Sequence, residues 1–249
     1  VRLRIGLGKA TETQWLDVME MAHSLGMFTS ATMMFGHIES VADRVDHMLA
    51  VRDRQDRALA DGLPGRYVSF IGWPFQRENT PLGRLPDWDP TKDPTFPGED
   101  PTHPRHAKVV RMAGATEYLR VQAIARLLFD NVLSIGSSWV TMGPKIGQLA
   151  LFHGATDMGS VMMEENVVSA AGTTYCLTEE LLCHLIRTAG YTPAQRDNRY
   201  GVLKLHDATG PDLAVTDWST QRVKKLHIEH GRGADATAAE AAVPLTVTR

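Results

Sequence analysis

The feature that most constrains this chain is the form of its apolar runs. Those at 27–35, 67–73 and near 135–140 are continuous rather than alternating, and such runs suit strands buried on both faces. Segments of helical period stand between them. Thr11 and Gln14 make a capping-box pattern ahead of Trp15, Val18, Met19, Ala22 and Leu25, with Gly26 as a stop. Ser40 opens a second helix whose apolar stripe is Val41, Val45, Met48 and Leu49. Its other side, with Asp43, Arg44, Asp46, Asp53, Arg54, Asp56 and Arg57, reads as a solvated charged face. A third helix is expected over 115–130, a fourth from Pro144 at its first turn, and a last short strand over 157–161. Strands that alternate with helices predict an α/β fold with a parallel sheet, and four βα units make half of a (β/α)8 barrel.

With 249 residues, 43% hydrophobic and 22% charged, the chain can bury a real core in one large domain or two small ones. A net charge of −3 gives no drive to neutralise phosphates, so a nucleic-acid partner is not expected. No apolar run reaches bilayer-spanning length and VRLRIGLGK lacks a signal-peptide core, so the reading is cytoplasmic with no membrane partner. Cys176 and Cys183 fit neither a disulfide framework nor a zinc spacing and read as packing residues. The opening valine, followed almost at once by a helix signal, predicts a piece of a longer chain.

Two segments break the rhythm. Residues 75–109 hold seven prolines, from Pro81 to Pro104, and are too long for a plain connector; following a strand, they are expected to form a lid. Residues 207–249 drift into Ala, Thr and Gly and are expected to be a disordered tail. The expected division is therefore a body over 1–175 and a helical C-terminal extension over 176–206, with a helix over 178–189 stopped by Gly190.

Polar residues gather where strands should end, the rim on which parallel barrels build active sites. After the first strand come Gly36, His37 and Glu39: glycine lets a ligand approach the backbone, and the carboxylate can accept hydrogen bonds. Equally, Gly36 can simply turn the chain and Glu39 serve the following helix N-terminus. Gln76 leaves the second strand; Ser138, Thr141 and Lys145 follow the third. Glu164, Glu165 and Asn166 follow the fourth, where paired carboxylates suit general-base work or a polar clamp, or else favour a helix start.

Those residues carry a resemblance. ATMMFGHIES, ADRVDHMLAVRDRQD, FIGWPFQRENTPLG, ATEYLRVQAIARLLFDN, SSWVTMGPKIGQLALFHGATDMGSVMMEENVVSAAGTT and AQRDNRY resemble the C-terminal half of the cyclic dehypoxanthine futalosine synthase family. These are radical S-adenosylmethionine enzymes of the futalosine route to menaquinone. WPFQ and MMEENVVSAAG separate the match from aminofutalosine synthase. The resemblance implies the C-terminal half of a radical SAM (β/α)8 barrel, with S-adenosylmethionine and a 4Fe-4S cluster in the full-length enzyme. The cluster's CxxxCxxC motif is absent from this chain, which alone would be inactive. It further implies dehypoxanthine futalosine as substrate and a reductant such as flavodoxin or ferredoxin. By position in that family Gly36 and Glu39 would lie near the adenosyl cofactor, and Glu164, Glu165 and Asn166 would face the substrate; on the same rim His37, Gln76, Ser138 and Thr141 are expected to bind substrate, and Glu164 or Glu165 is expected, on geometry and not on the resemblance, to remove the ring proton. Alternatives are an aminofutalosine synthase-like enzyme or a non-catalytic subunit completing a separate half.

A half barrel should leave Met33, Phe35, Phe70, Ile71 and Ile135 partly wet on an open inner face. At about 0.8 kcal/mol per exposed CH₂, such a chain is expected to aggregate, or to pair with a second copy or with the missing half.

Overall fold

The computed structural model describes residues 1–6, 8–161, 170–173 and 175–207. Its elements are α1 (Arg2–Ile5), α2 (Glu12–Ser24), β1 (Phe28–Phe35), α3 (Val41–Ala60), β2 (Arg66–Pro74), α4 (Ala115–Leu128), β3 (Ser134–Gly136), α5 (Trp139–Met142), α6 (Pro144–Leu151), α7 (Glu179–Thr188), β4 (Ala194–Arg196) and β5 (Val202–Leu205). Both capping predictions hold, and for the stated reason. Thr11 accepts from Gln14 N–H and Ser40 from Asp43 N–H, each reciprocated by the third residue's side chain, so the helix-end donors are satisfied locally.

β1, β2 and β3 form a parallel sheet in sequence order. An irregularity after Thr29 pairs Thr29 with Tyr67 and Ser30 with Ser69, so Val68 is the extra residue. Tyr67 and Phe70 thereby join one core despite their odd spacing. That core lies under the helices, where Ala31, Met33, Phe35 and Ile135 meet Met48 and Val51 of α3 and Tyr118, Val121 and Ala125 of α4.

Several expectations are corrected here. The fourth strand is not formed: the residue pairing with Gly136 is Asp157, as an isolated bridge. Asp157 turns its side chain back on Gly159 N–H, and Gly159 has φ +74, which bends the chain out of extension. The third strand stops at Gly136 rather than running to 140, because the buried Tyr118 hydroxyl takes Ser138 N–H at 2.7 Å, and Trp139 then enters a short helix. Met33, Phe35, Phe70 and Ile135 are all under 5% exposed beneath the helices. The opposite face instead carries exposed Ser30 and Thr32 with half-buried Met34, Ile71 and Trp73. The chemistry of that open face is mixed, and the large apolar loss expected there does not arise.

The charged face of α3 is not wholly solvated either. Arg44 and Arg54 are buried, because α3 is flanked on both sides: Arg54 reaches Asp17 at 3.0 Å and also pairs with Glu20 of α2, while Arg44 turns toward β1 and α4. Beyond α6, α7 packs Leu181, Leu182 and Leu185 on Trp139 and Met158. β4 and β5 form an antiparallel hairpin for which no strand was predicted. The 207–249 tail lies outside the described residues apart from Asp207. No helix among the described residues is long and apolar enough to cross a membrane.

Candidate active-site rim

β1 ends in a corner filled by its own charges. Gly36 has φ +83, and a Cβ there would meet the Ala113 Cβ at 2.6 Å, so only glycine fits. The bend turns Gly36 N–H and His37 N–H toward Glu39, whose carboxylate accepts them at 2.6 and 2.8 Å. Arg44 Nε adds a third bond at 2.8 Å, and its NH1 continues to Glu117 of α4 at 2.6 Å. Glu39 is 3% exposed. Burial alone would raise its pKa, but the His37 ring, the Arg44 guanidinium and Gly36 N–H together hold it at about 2. His37 is also buried; its Nδ1 faces both Ile38 N–H and Glu39 Oε2, and its Nε2 has no hydrogen-bond partner among the described residues.

The proline-rich segment runs over this corner as an ordered strap. Arg77 bonds Gly83 O, Leu85 O and Asp87, Trp88 stacks edgewise on Phe96, and Trp88 N–H and Val110 N–H close a short bridge. Phe96, Val109 and Val110 are buried. Glu99 accepts from Val41 N–H and from Arg111, whose own N–H bonds His37 O. The opposite charges Glu39, Arg44, Glu117, Arg111 and Glu99 thus run in one chain from the end of β1 to the strap.

At the end of β2, Gln76 donates to Pro74 O and accepts from Thr173 at 3.3 Å. After β3, Ser138 and Thr141 share a hydroxyl bond of 2.8 Å. The clamp that sets them there, Tyr118 with Gln122 at 2.7 Å, was not foreseen; its signal was an i, i+4 polar pair on a helix expected to be apolar toward the sheet. Arg44 was missed as a site-builder because a charge run on a helix reads by default as surface; Glu117, early in α4, and Arg111, in the segment before it, carry no local signal at all. Gly36, His37, Glu39, Gln76, Ser138 and Thr141 all stand at the C-terminal ends of adjacent parallel strands. Lys145 follows Pro144 in the first turn of α6 and is exposed. Glu164, Glu165 and Asn166 lie outside the described residues.

The residues present do not fit an iron–sulfur cluster. Three closely set thiolates are the usual requirement, whereas the sequence holds Cys176 and Cys183, burial pushes both thiols up in pKa, and no group of three metal-ligating side chains occurs among the described residues. Glu39, with its oxygens already engaged, shapes the backbone of the corner.

The chain is similar to curated proteins over most of its length. Identity is 38% to the cyclic dehypoxanthine futalosine synthase of Streptomyces coelicolor, over 90% of this chain and 48% of the relative. It is 40% to that of Halalkalibacterium halodurans, over 82% and 46%. To the aminodeoxyfutalosine synthase of Streptomyces coelicolor it is 36%, over 80% and 46%. The chain spans about half the length of these curated relatives. Residues 64–209, from the turn before β2 through the C-terminal hairpin, match the CofH/MqnC C-terminal region, and the chain therefore belongs to that family.

Proposed function

We propose that the chain is the C-terminal half of a radical S-adenosylmethionine enzyme that cyclises dehypoxanthine futalosine on the futalosine route to menaquinone. The observation that carries this reading is similarity to two cyclic dehypoxanthine futalosine synthases over 82–90% of the chain but under half of each relative. The three parallel strands and the bridge at Asp157 supply the second part of a (β/α)8 barrel, and the other part completes it. The cluster's thiolates are not in this chain.

This chain's own groups hold and orient. Glu39 fixes the Gly36–Ile38 backbone beside which the adenosyl cofactor binds, and the strap excludes water above it. His37, Gln76, Ser138, Thr141 and Asn166 face the substrate, and Glu164 or Glu165 takes the proton lost from its ring. Such an enzyme works in the cytoplasm with a small electron carrier, a flavodoxin or ferredoxin, as reductant. The test joins this chain to the cysteine-bearing half encoded upstream of it and incubates the reduced product anaerobically with S-adenosylmethionine and dehypoxanthine futalosine. Cyclised product is expected. Turnover by the aminodeoxyfutalosine synthase reaction instead would replace the reading, as would an upstream frame without CxxxCxxC.

A further inference from the structure

The AQRDNRY stretch has no part in the rim as described above, yet it is built with care. Asp197 accepts from Arg199 and Gly201 N–H at 2.8 Å each, closing the turn between β4 and β5, and the Arg196 guanidinium lies 3.8 Å from the Tyr200 ring centroid. The turn delivers Arg196 to Asp157, which it grips through both Nε and NH2, the second at 3.2 Å. Asp157 is the residue that bridges to β3: its carbonyl accepts Ser137 N–H at 2.7 Å, and its side chain also accepts Gly159 N–H. Ser137 in turn bonds Gly147 O of α6, and the next residue, Ser138, bonds Tyr118 and Thr141.

We infer that Arg196 is a positioning residue. Through Asp157 it sets the Ser137–Thr141 rim. The hairpin's strands are mostly exposed, and its other ties to the body are longer: Arg199 over the Phe28 ring at 5.7 Å, Arg187 donating to His206 O at 3.4 Å and His206 beside Glu179 at 3.5 Å. A fork gripping both carboxylate oxygens fixes Asp157 in direction as well as distance, which a lysine's point charge cannot do. The inference rests on the proposed function for the identity of the reacting groups, but the contact does not.

The test compares Arg196→Lys and Arg196→Ala with Arg199→Ala in the complete enzyme. Cleavage of S-adenosylmethionine is read as 5′-deoxyadenosine, and cyclised product is read separately. Both Arg196 variants are expected to keep deoxyadenosine within about two-fold while product per deoxyadenosine falls about 10- to 100-fold, the scale of an ångström misplacement; Arg199→Ala should change neither. A parallel fall of both readouts, or unchanged product, overturns the assignment. If the wild type makes no cyclised product, the functional reading fails, and amide exchange decides on Arg196. Faster exchange at Ser137–Thr141 in both Arg196 variants supports it, and unchanged exchange sinks it.

Discussion

At the end of β1, Glu39 is 3% exposed and ties together a bend, a helix and, through Arg44 and Glu117, a second helix. In the C-terminal hairpin every residue of β5 is exposed, and the shortest side-chain tie to the body is Arg196 with Asp157, beside longer ones from Arg199 to the Phe28 ring and from His206 to Glu179. Both regions use an arginine–carboxylate pair. The difference is what surrounds it: a buried pair cannot lose one member without stranding the other, whereas the partly exposed Arg196–Asp157 pair can fall back in part on water. The corner is therefore coupled to global folding, and the hairpin to local geometry only.

Four changes would break or sharpen that contrast. The largest effect is expected from Glu39→Ala, which leaves Arg44 and two backbone N–H groups buried without their acceptor; a loss of about 3–5 kcal/mol follows, read as the midpoint shift in urea. A loss under about 1 kcal/mol would show that the corner is wetter than its burial implies. In the complete enzyme a milder variant, Glu39→Gln, should weaken S-adenosylmethionine binding, while Glu164→Gln with Glu165→Gln should spare cofactor cleavage and lower product.

Gly36→Ala comes next. Its φ and the 2.6 Å approach to Ala113 predict a cost of about 1–3 kcal/mol. Gly62→Ala has a positive φ but open space around it and should cost less by the same melt, isolating the clash from the backbone strain.

The third change is in pH. Burial lowers the pKa of His23 and brings that of His47, stacked on Trp15, down to about 4. For His47 the unfolded chain binds the proton more readily, so the stabilisation is complete above about pH 6.5 and is lost as pH falls toward 4. A decline on the order of 1–3 kcal/mol across that window is expected, and His47→Asn should flatten it. Glu39 contributes separately and lower: its stabilisation is present above its ordinary range near 4.5 and is lost as pH falls through about 2.

The smallest effect belongs to the hairpin. Val202→Thr and Leu205→Thr alter exposed side chains and should move stability by no more than about 0.5 kcal/mol. A loss several times larger would mean that this strand is covered in solution, by a second copy or by another part of the protein.

How far the sequence could be read follows the same division. Helix starts were legible because a cap is a local event: Thr11, Ser40 and Thr178 each need only a donor a few residues ahead. The parallel sheet was legible from the alternation of strand and helix patterns, although burial on both faces, the reason given for its apolar runs, does not hold at Ser30 and Thr32. The ends of strands were less so, since β3 stops where Tyr118, from another element, captures Ser138, and the fourth run breaks where Asp157 turns onto Gly159. Gly36, His37 and Glu39 were recognisable as a cluster, but nothing local says that Arg44 and Glu117 complete it.

The sequence by itself determined the alternation of β1, β2 and β3 with helices, the caps of α2, α3 and α7, the glycine bend after β1 and the family. These depend on period, on φ and on motifs, which neighbours along the chain carry. Only the tertiary structure decided that Arg44 and Arg54 of α3 are buried, that the proline-rich segment lies as a strap held through Glu99, and that Arg196 meets Asp157. Those are pairings between residues distant in sequence, and an arginine reads the same along the chain whether water or a buried carboxylate awaits it.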